Sequence, residues 1–156
     1  MVQFHRVTIG DKPFVDRFVL AEDSRSADFN FGNIYLWDTA YRQFLTSVEG
    51  RLLTKLKYED LPFFAFPIGT GDVRPAVEAM EEYAAQRGYR MRLRGVTDEH
   101  LELLEGAWPG RFTFEEDRDC FDYIYLAEKL ATFAGKKLHG KRNFCNRFEK
   151  EHSWEF

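Results

Sequence analysis

Apolar residues recur along this chain with two periods, and each change of period marks an element. Phe14, Val15, Phe18 and Val19 recur at three- and four-residue spacing behind Asp11 and Pro13, which predicts a short helix ending near Leu20. The polar stretch AEDSRSAD (21–28) predicts a loop. FGNIYLWDTAY (31–41) puts Phe31, Ile34 and Tyr35, with Asp38, on one side of a second helix. The period then shortens. QFLTSV (43–48) and RLLTKLK (51–57) flank Glu49-Gly50, a two-residue hairpin turn in which Gly supplies positive φ. FFAFPI (63–68) is a continuous apolar run expected as a buried central strand. The next helix is expected to be capped by Asp72, with Pro75 in its first turn and Gly88 at its end; Val73, Ala76, Val77, Met80, Tyr83 and Ala84 form its stripe. RMRLRGV (90–96) and RFTFEED (111–117) read as strands around a capped helix at 97–106. Two helices, 124–135 and 136 onward, close the chain, and residues 4–9 predict a leading strand.

This order specifies an α+β (mixed α/β) class. Three consecutive strands with short turns are antiparallel, and the later strand–helix–strand step is a right-handed parallel crossover. No repeat or linker divides the 156 residues, so a single domain over 1–156 is expected. A chain that is 44% hydrophobic and 31% charged is not a disordered one, and sixteen Phe predict an aromatic core. The apolar runs are too short to span a bilayer, and MVQFHRVTIG lacks the features of a signal peptide. Cys120 and Cys145 form no CxxC pattern. Neither a disulfide framework nor a zinc site is expected, and a reducing cytoplasm fits best.

Charge changes the picture at one place. Residues 135–152 carry six Lys/Arg against two Glu, a local +4 in a chain of net −4, so the remainder carries −8. In GKKLHGKRNFCNRFEK, Leu138, Cys145 and Phe148, with Phe144 alongside, predict a buried helix face. On charge alone Lys136, Lys137, His139, Lys141, Arg142 and Asn143 read as a solvated basic surface, with a face toward a polyanion or partner as the alternative. A second candidate is Gly69-Thr70-Gly71, where a strand enters a helix and free amides could hold a phosphate; the layout resembles the coenzyme A pyrophosphate loop of GNAT-type N-acyltransferases, with Phe66 in place of that loop's Gln or Arg, and an ordinary strand–helix turn is the leading reading. The acidic run Glu115, Glu116, Asp117, Asp119, Asp122 lacks the pattern of a calcium loop and reads as a solvated turn. No catalytic constellation is legible.

The segment 119–148 contains Asp122-Tyr123-Ile124-Tyr125, Glu128, Leu130, Gly135-Lys136-Lys137, His139, Lys141-Arg142-Asn143, Asn146 and Phe148. Together with Phe31-Gly32-Asn33-Ile34-Tyr35-Leu36-Trp37 and the Pro67-x-Gly69-x-Gly71-Asp72 turn, it resembles a bacterial family of unknown-function proteins related to the phosphatidylglycerol lysyltransferase C-terminal domain. Leu138, Gly140 and Phe144 depart from the family pattern. The resemblance implies an acyl-CoA N-acyltransferase (GNAT)-like fold, with this chain as the first half of a tandem. It implies a part in aminoacyl or acyl transfer from an aminoacyl-tRNA or a coenzyme A thioester to an amine or hydroxyl. The partner would be a second GNAT-like half or another copy of the chain, and Trp154 and Phe156 are large apolar groups suited to such a contact. A non-catalytic interaction module and a self-sufficient acetyl-CoA-dependent acetyltransferase are the rival readings.

Overall fold

The computed structural model describes residues 2–59 and 61–155. They form two compact units, residues 1–120 and 121–156.

The first unit is a sheet with helices. Strands β1 (His5–Arg6), β2 (Phe44–Val48), β3 (Arg51–Tyr58) and β4 (Leu61–Ala65) are successively antiparallel. The short β5 (Ile68–Gly69) returns to pair with the start of β3, and β6 (Leu93–Arg94) lies parallel to β4 after helix α4 (Arg74–Ala85). The other helices are α1 (Lys12–Glu22), α2 (Phe31–Leu36), α3 (Asp38–Tyr41) and α5 (Asp98–Ala107). This six-stranded mixed sheet flanked by helices is the expected α+β class, consistent with a GNAT-like fold.

Local chemistry explains the elements. The β2–β3 hairpin turns on Glu49 (φ 43°) and Gly50 (φ 84°), the paired positive φ values that a type I′ turn requires. Along β3, Leu52 and Leu53 point to opposite faces. Leu52 joins a core with Val15, Phe18, Phe31, Ile34, Phe66 and Leu104; Leu53 joins a second with Phe64, Ala76, Met80 and Tyr83. The α4 stripe is buried as its spacing predicts.

Four expectations are corrected. The run 63–68 is two strands, because Pro67 has no amide to give a ladder; the chain leaves β4 at Ala65 and crosses to β3 as β5. The helix over 31–41 breaks at Trp37 (φ −83°, ψ 0°), which ends α2 and starts α3. The stretch 111–117 is not a strand: Phe112 packs on the first core, while Arg111 turns out to pair with Glu81 at 2.7 Å. Asp72 precedes the α4 N-cap, Val73, though its carboxylate still accepts the Arg74 amide at 3.0 Å.

The second unit holds α6 (Ala127–Thr132), a 3-10 turn (Lys136–Leu138) and α7 (His139–Glu151). Leu138 is buried as expected, but Cys145 is exposed and Phe144 and Phe148 are 61% and 50% exposed. The predicted burial of that face is therefore corrected. Its 3–4 spacing is real, but α6 supplies only six residues to cover it. Among the described residues no helix is long and apolar enough to cross a membrane.

Candidate functional site

The Gly-x-Gly turn is built around a buried polar cluster. Arg51, the first residue of β3, is 5% exposed. Its Nη1 donates to Pro67 O at 2.7 Å, and Nη2 and Nε donate to Gly71 O at 2.8 and 3.2 Å. Glu22 ends α1 and reaches the same turn, accepting the Gly69 amide at 2.6 Å through Oε2 and His100 Nε2–H at 2.7 Å through Oε1. His100 stacks on Phe66 with ring centroids 3.8 Å apart and accepts the Thr97 amide at Nδ1, which suits the Nε2–H tautomer. Burial alone would raise the Glu22 pKa. The hydrogen bonds from His100 and Gly69, with the charge of Arg51, outweigh it and hold the carboxyl below its ordinary value. Burial lowers the Arg51 pKa.

These contacts define what the turn offers. Gly69 is buried, with its amide bonded to Glu22; Thr70 and Gly71 are exposed. Beside them a cleft of about 260 Å³ is lined by Arg51, Gly71, Asp72, Arg74, Glu102 and Leu103. Asp72 faces it with its pKa lowered, first by the Arg74 amide and then by the Arg74 guanidinium at 2.9 Å.

The basic candidates lie together on the 3-10 turn and α7. Lys136, Lys137, His139, Lys141 and Asn143 are exposed, and among the described residues none of the three lysines makes an ion pair. Arg142 differs: its Nη1 donates to Phe133 O at 2.8 Å, closing the end of α6 onto α7. His139 Nδ1 lies 3.4 Å from Asn143 Nδ2, one helical turn away. Beside this surface is an open groove of about 1060 Å³ lined by Phe133, Arg142, Cys145, Phe148 and Trp154 among others. Gly140 sits in α7 with no atom within 4 Å of an added Cβ. Gly140→Ala is therefore expected to stabilise the helix by about 0.5–1 kcal/mol, read as a raised thermal midpoint.

The acidic run is not wholly a solvated turn. Asp117 accepts Arg94 at 3.1 Å, Cys120 Sγ at 3.1 Å and the Asp119 amide at 3.2 Å. Among the described residues no group of three or more His, Cys, Asp or Glu is arranged to hold a metal ion. Glu22, Arg51 and His100 escaped the sequence reading. One signal for them was present: His100 falls four residues before Leu104 on the apolar side of α5, where an unpartnered imidazole would be unfavourable.

The family model described as phosphatidylglycerol lysyltransferase, C-terminal, matches residues 21–156. A search of curated proteins finds no match. Among solved structures, the chain is similar to a conserved protein of unknown function from Bacteroides thetaiotaomicron VPI-5482. The two are 32% identical with a TM-score of 0.86, over 96% of this chain and 51% of the other. The chain thus spans about half the length of that relative.

Proposed function

This chain belongs to the phosphatidylglycerol lysyltransferase C-terminal family, and from that membership we propose that it is a GNAT-like half domain contributing to aminoacyl or acyl transfer. In this reading the exposed basic face of the second unit receives the anionic part of the donor. The observation that carries it is the set Lys136, Lys137 and Lys141, three exposed ammonium groups without ion pairs among the described residues. A charge run that merely solvated the fold would gain little here, whereas unpaired cations on one surface attract phosphates at long range. His139 and Asn143 add polar groups on the same turns.

Of the two donor classes, aminoacyl-tRNA fits better than a coenzyme A thioester. A pyrophosphate loop works through free amides aimed at the anion. At Gly69 that amide already serves Glu22, and the Asp72 carboxylate stands beside the turn. The acceptor is an amine or hydroxyl, and a second GNAT-like half is expected to complete the reaction centre.

The test is binding of labelled bulk tRNA by the full chain, followed by anisotropy from about 50 to 200 mM salt. The combined variant Lys136→Ala, Lys137→Ala, Lys141→Ala is expected to reduce the logarithmic salt slope by about 2 to 3. An unchanged slope would count against this face. A rise in melting temperature with acetyl-CoA and none with tRNA would instead favour the thioester donor.

A further inference from the structure

One aromatic cluster on the first unit is unexplained by anything above. Trp37 stands at the break between α2 and α3, 51% exposed. Its ring centroid lies 5.6 Å from that of Tyr41, one helical turn on, and Tyr41 lies 5.8 Å from Tyr58 at the end of β3. Tyr58 is itself 39% exposed. Sheet register extends the same face. Leu56 pairs with Phe63, and Ala65 pairs with Arg94, so Tyr58, Phe63, Arg92 and Arg94 project to one side. The Arg94 guanidinium is 5.2 Å from the Tyr58 ring and that of Arg92 is 5.9 Å from Phe63.

Rings placed for core packing would be covered; of these three, Trp37 and Tyr58 are not, while Tyr41 between them is half-buried. They are tilted by 35° and 47° to one another, so parallel stacking among themselves does not use up their faces. The charges around them are of both signs, and two of the arginines are left without an ion pair among the described residues. Asp38 is paired with Arg6 at 2.8 Å and Asp117 with Arg94 at 3.1 Å, while Arg42 and Arg92 are exposed and make no ion pair among the described residues. Glu59, exposed in the turn after Tyr58, and Asp60, next to it in sequence, are the acidic residues that follow the last ring. Exposed π faces flanked by arginines fit a guest that is planar in one part and anionic in another.

We propose that Trp37, Tyr41 and Tyr58, flanked by Arg42 and Arg92, form a stacking platform for the unpaired bases of a single-stranded nucleic acid. The idea deepens the donor reading, since a tRNA ends in unpaired nucleotides, but it stands on different residues. A base stacked on Trp37 or Tyr58 exchanges hydrated aromatic surface for contact, and its backbone runs toward Arg42 or Arg92. Duplex RNA keeps its bases stacked internally and gains only the charge term.

The test uses the full chain and an oligo(A) of about ten nucleotides, with a duplex RNA of equal length and an oligo(dA) beside it. Oligo(A) is expected to quench tryptophan fluorescence saturably and to bind at least about tenfold more tightly than the duplex. Trp37→Ala and Tyr58→Ala should each lower that affinity by about 5- to 150-fold, and Trp37→Phe by less than about threefold because it keeps a ring. Circular dichroism and the melting midpoint separate lost binding from lost folding. Oligo(dA) binding as well as oligo(A) would assign the platform to bases in general, and a preference for oligo(A) to RNA; either upholds it. Equal affinity for duplex and single strand, or full affinity in both alanine variants, would overturn it. So would no oligonucleotide binding together with a dimer that Trp37→Ala disperses, since the platform would then be a protein interface. The lysine triple variant keeps the two readings apart: oligo(A) binding retained there while tRNA affinity falls supports both. A platform that fails while the triple variant still loses tRNA leaves only the basic face.

Discussion

Arg51→Ala is expected to lower the stability of the first unit by about 3 kcal/mol, measured by urea denaturation. The magnitude follows from what the side chain holds. Arg51 is buried, and its three donor nitrogens satisfy Pro67 O and Gly71 O. Removing it strands two carbonyls and leaves Glu22 without its nearby countercharge. The companion variant Glu22→Gln adds a dependence on pH. The Glu22 pKa is lowered in the fold, so its contribution is complete above the ordinary glutamate value of about 4.3 and fades as pH falls through the lower folded value. The gap between the native chain and Glu22→Gln should therefore be widest near neutral pH and should narrow in acid. A gap that stayed constant between pH 7 and pH 3 would show that Glu22 acts through shape rather than charge, and an Arg51→Ala chain within 0.5 kcal/mol (roughly the spread of ordinary surface substitutions) of the native one would refute the structural role.

This cluster also shows where sequence reading stops. The α4 stripe, the Glu49-Gly50 turn and the basic run at 136–142 are local signals, carried by spacing of a few residues, and the structure repeats them. Glu22 and His100 are 78 residues apart in sequence, and only the docking of α1 and α5 against one end of the sheet makes them neighbours. The aromatic platform is intermediate: the four-residue spacing of Trp37 and Tyr41 is visible in the sequence, whereas the arrival of Tyr58 from β3 is not. Phe144 and Phe148 show the opposite failure, in which spacing correctly marks an apolar face but says nothing of whether that face is covered.

Gly69→Ala should be the most damaging single-methyl change in the chain, with an expected loss of about 4 kcal/mol or failure to fold. Gly69 has φ +129°, a region that L side chains rarely adopt, and an added Cβ would stand 2.3 Å from Gly50 O and 3.2 Å from Arg51 Cα. Neither neighbour can yield freely: Gly50 is fixed in the β2–β3 turn and Arg51 by its bonds to Pro67 and Gly71. The clash is reciprocal, because a Cβ on Gly50 would meet Thr70 O at 2.8 Å. Gly71→Ala is the internal control. Its φ of +101° is also unfavourable, but the nearest atom to its Cβ is Glu49 O at 3.2 Å, so a smaller loss of about 2 kcal/mol is expected. The ordering matters more than either value. Gly69 far more sensitive than Gly71 means that this Gly-x-Gly serves the close approach of two turns of the same chain. Equal, mild losses would mean that the turn can open, and its amides would then be available to an anion after all.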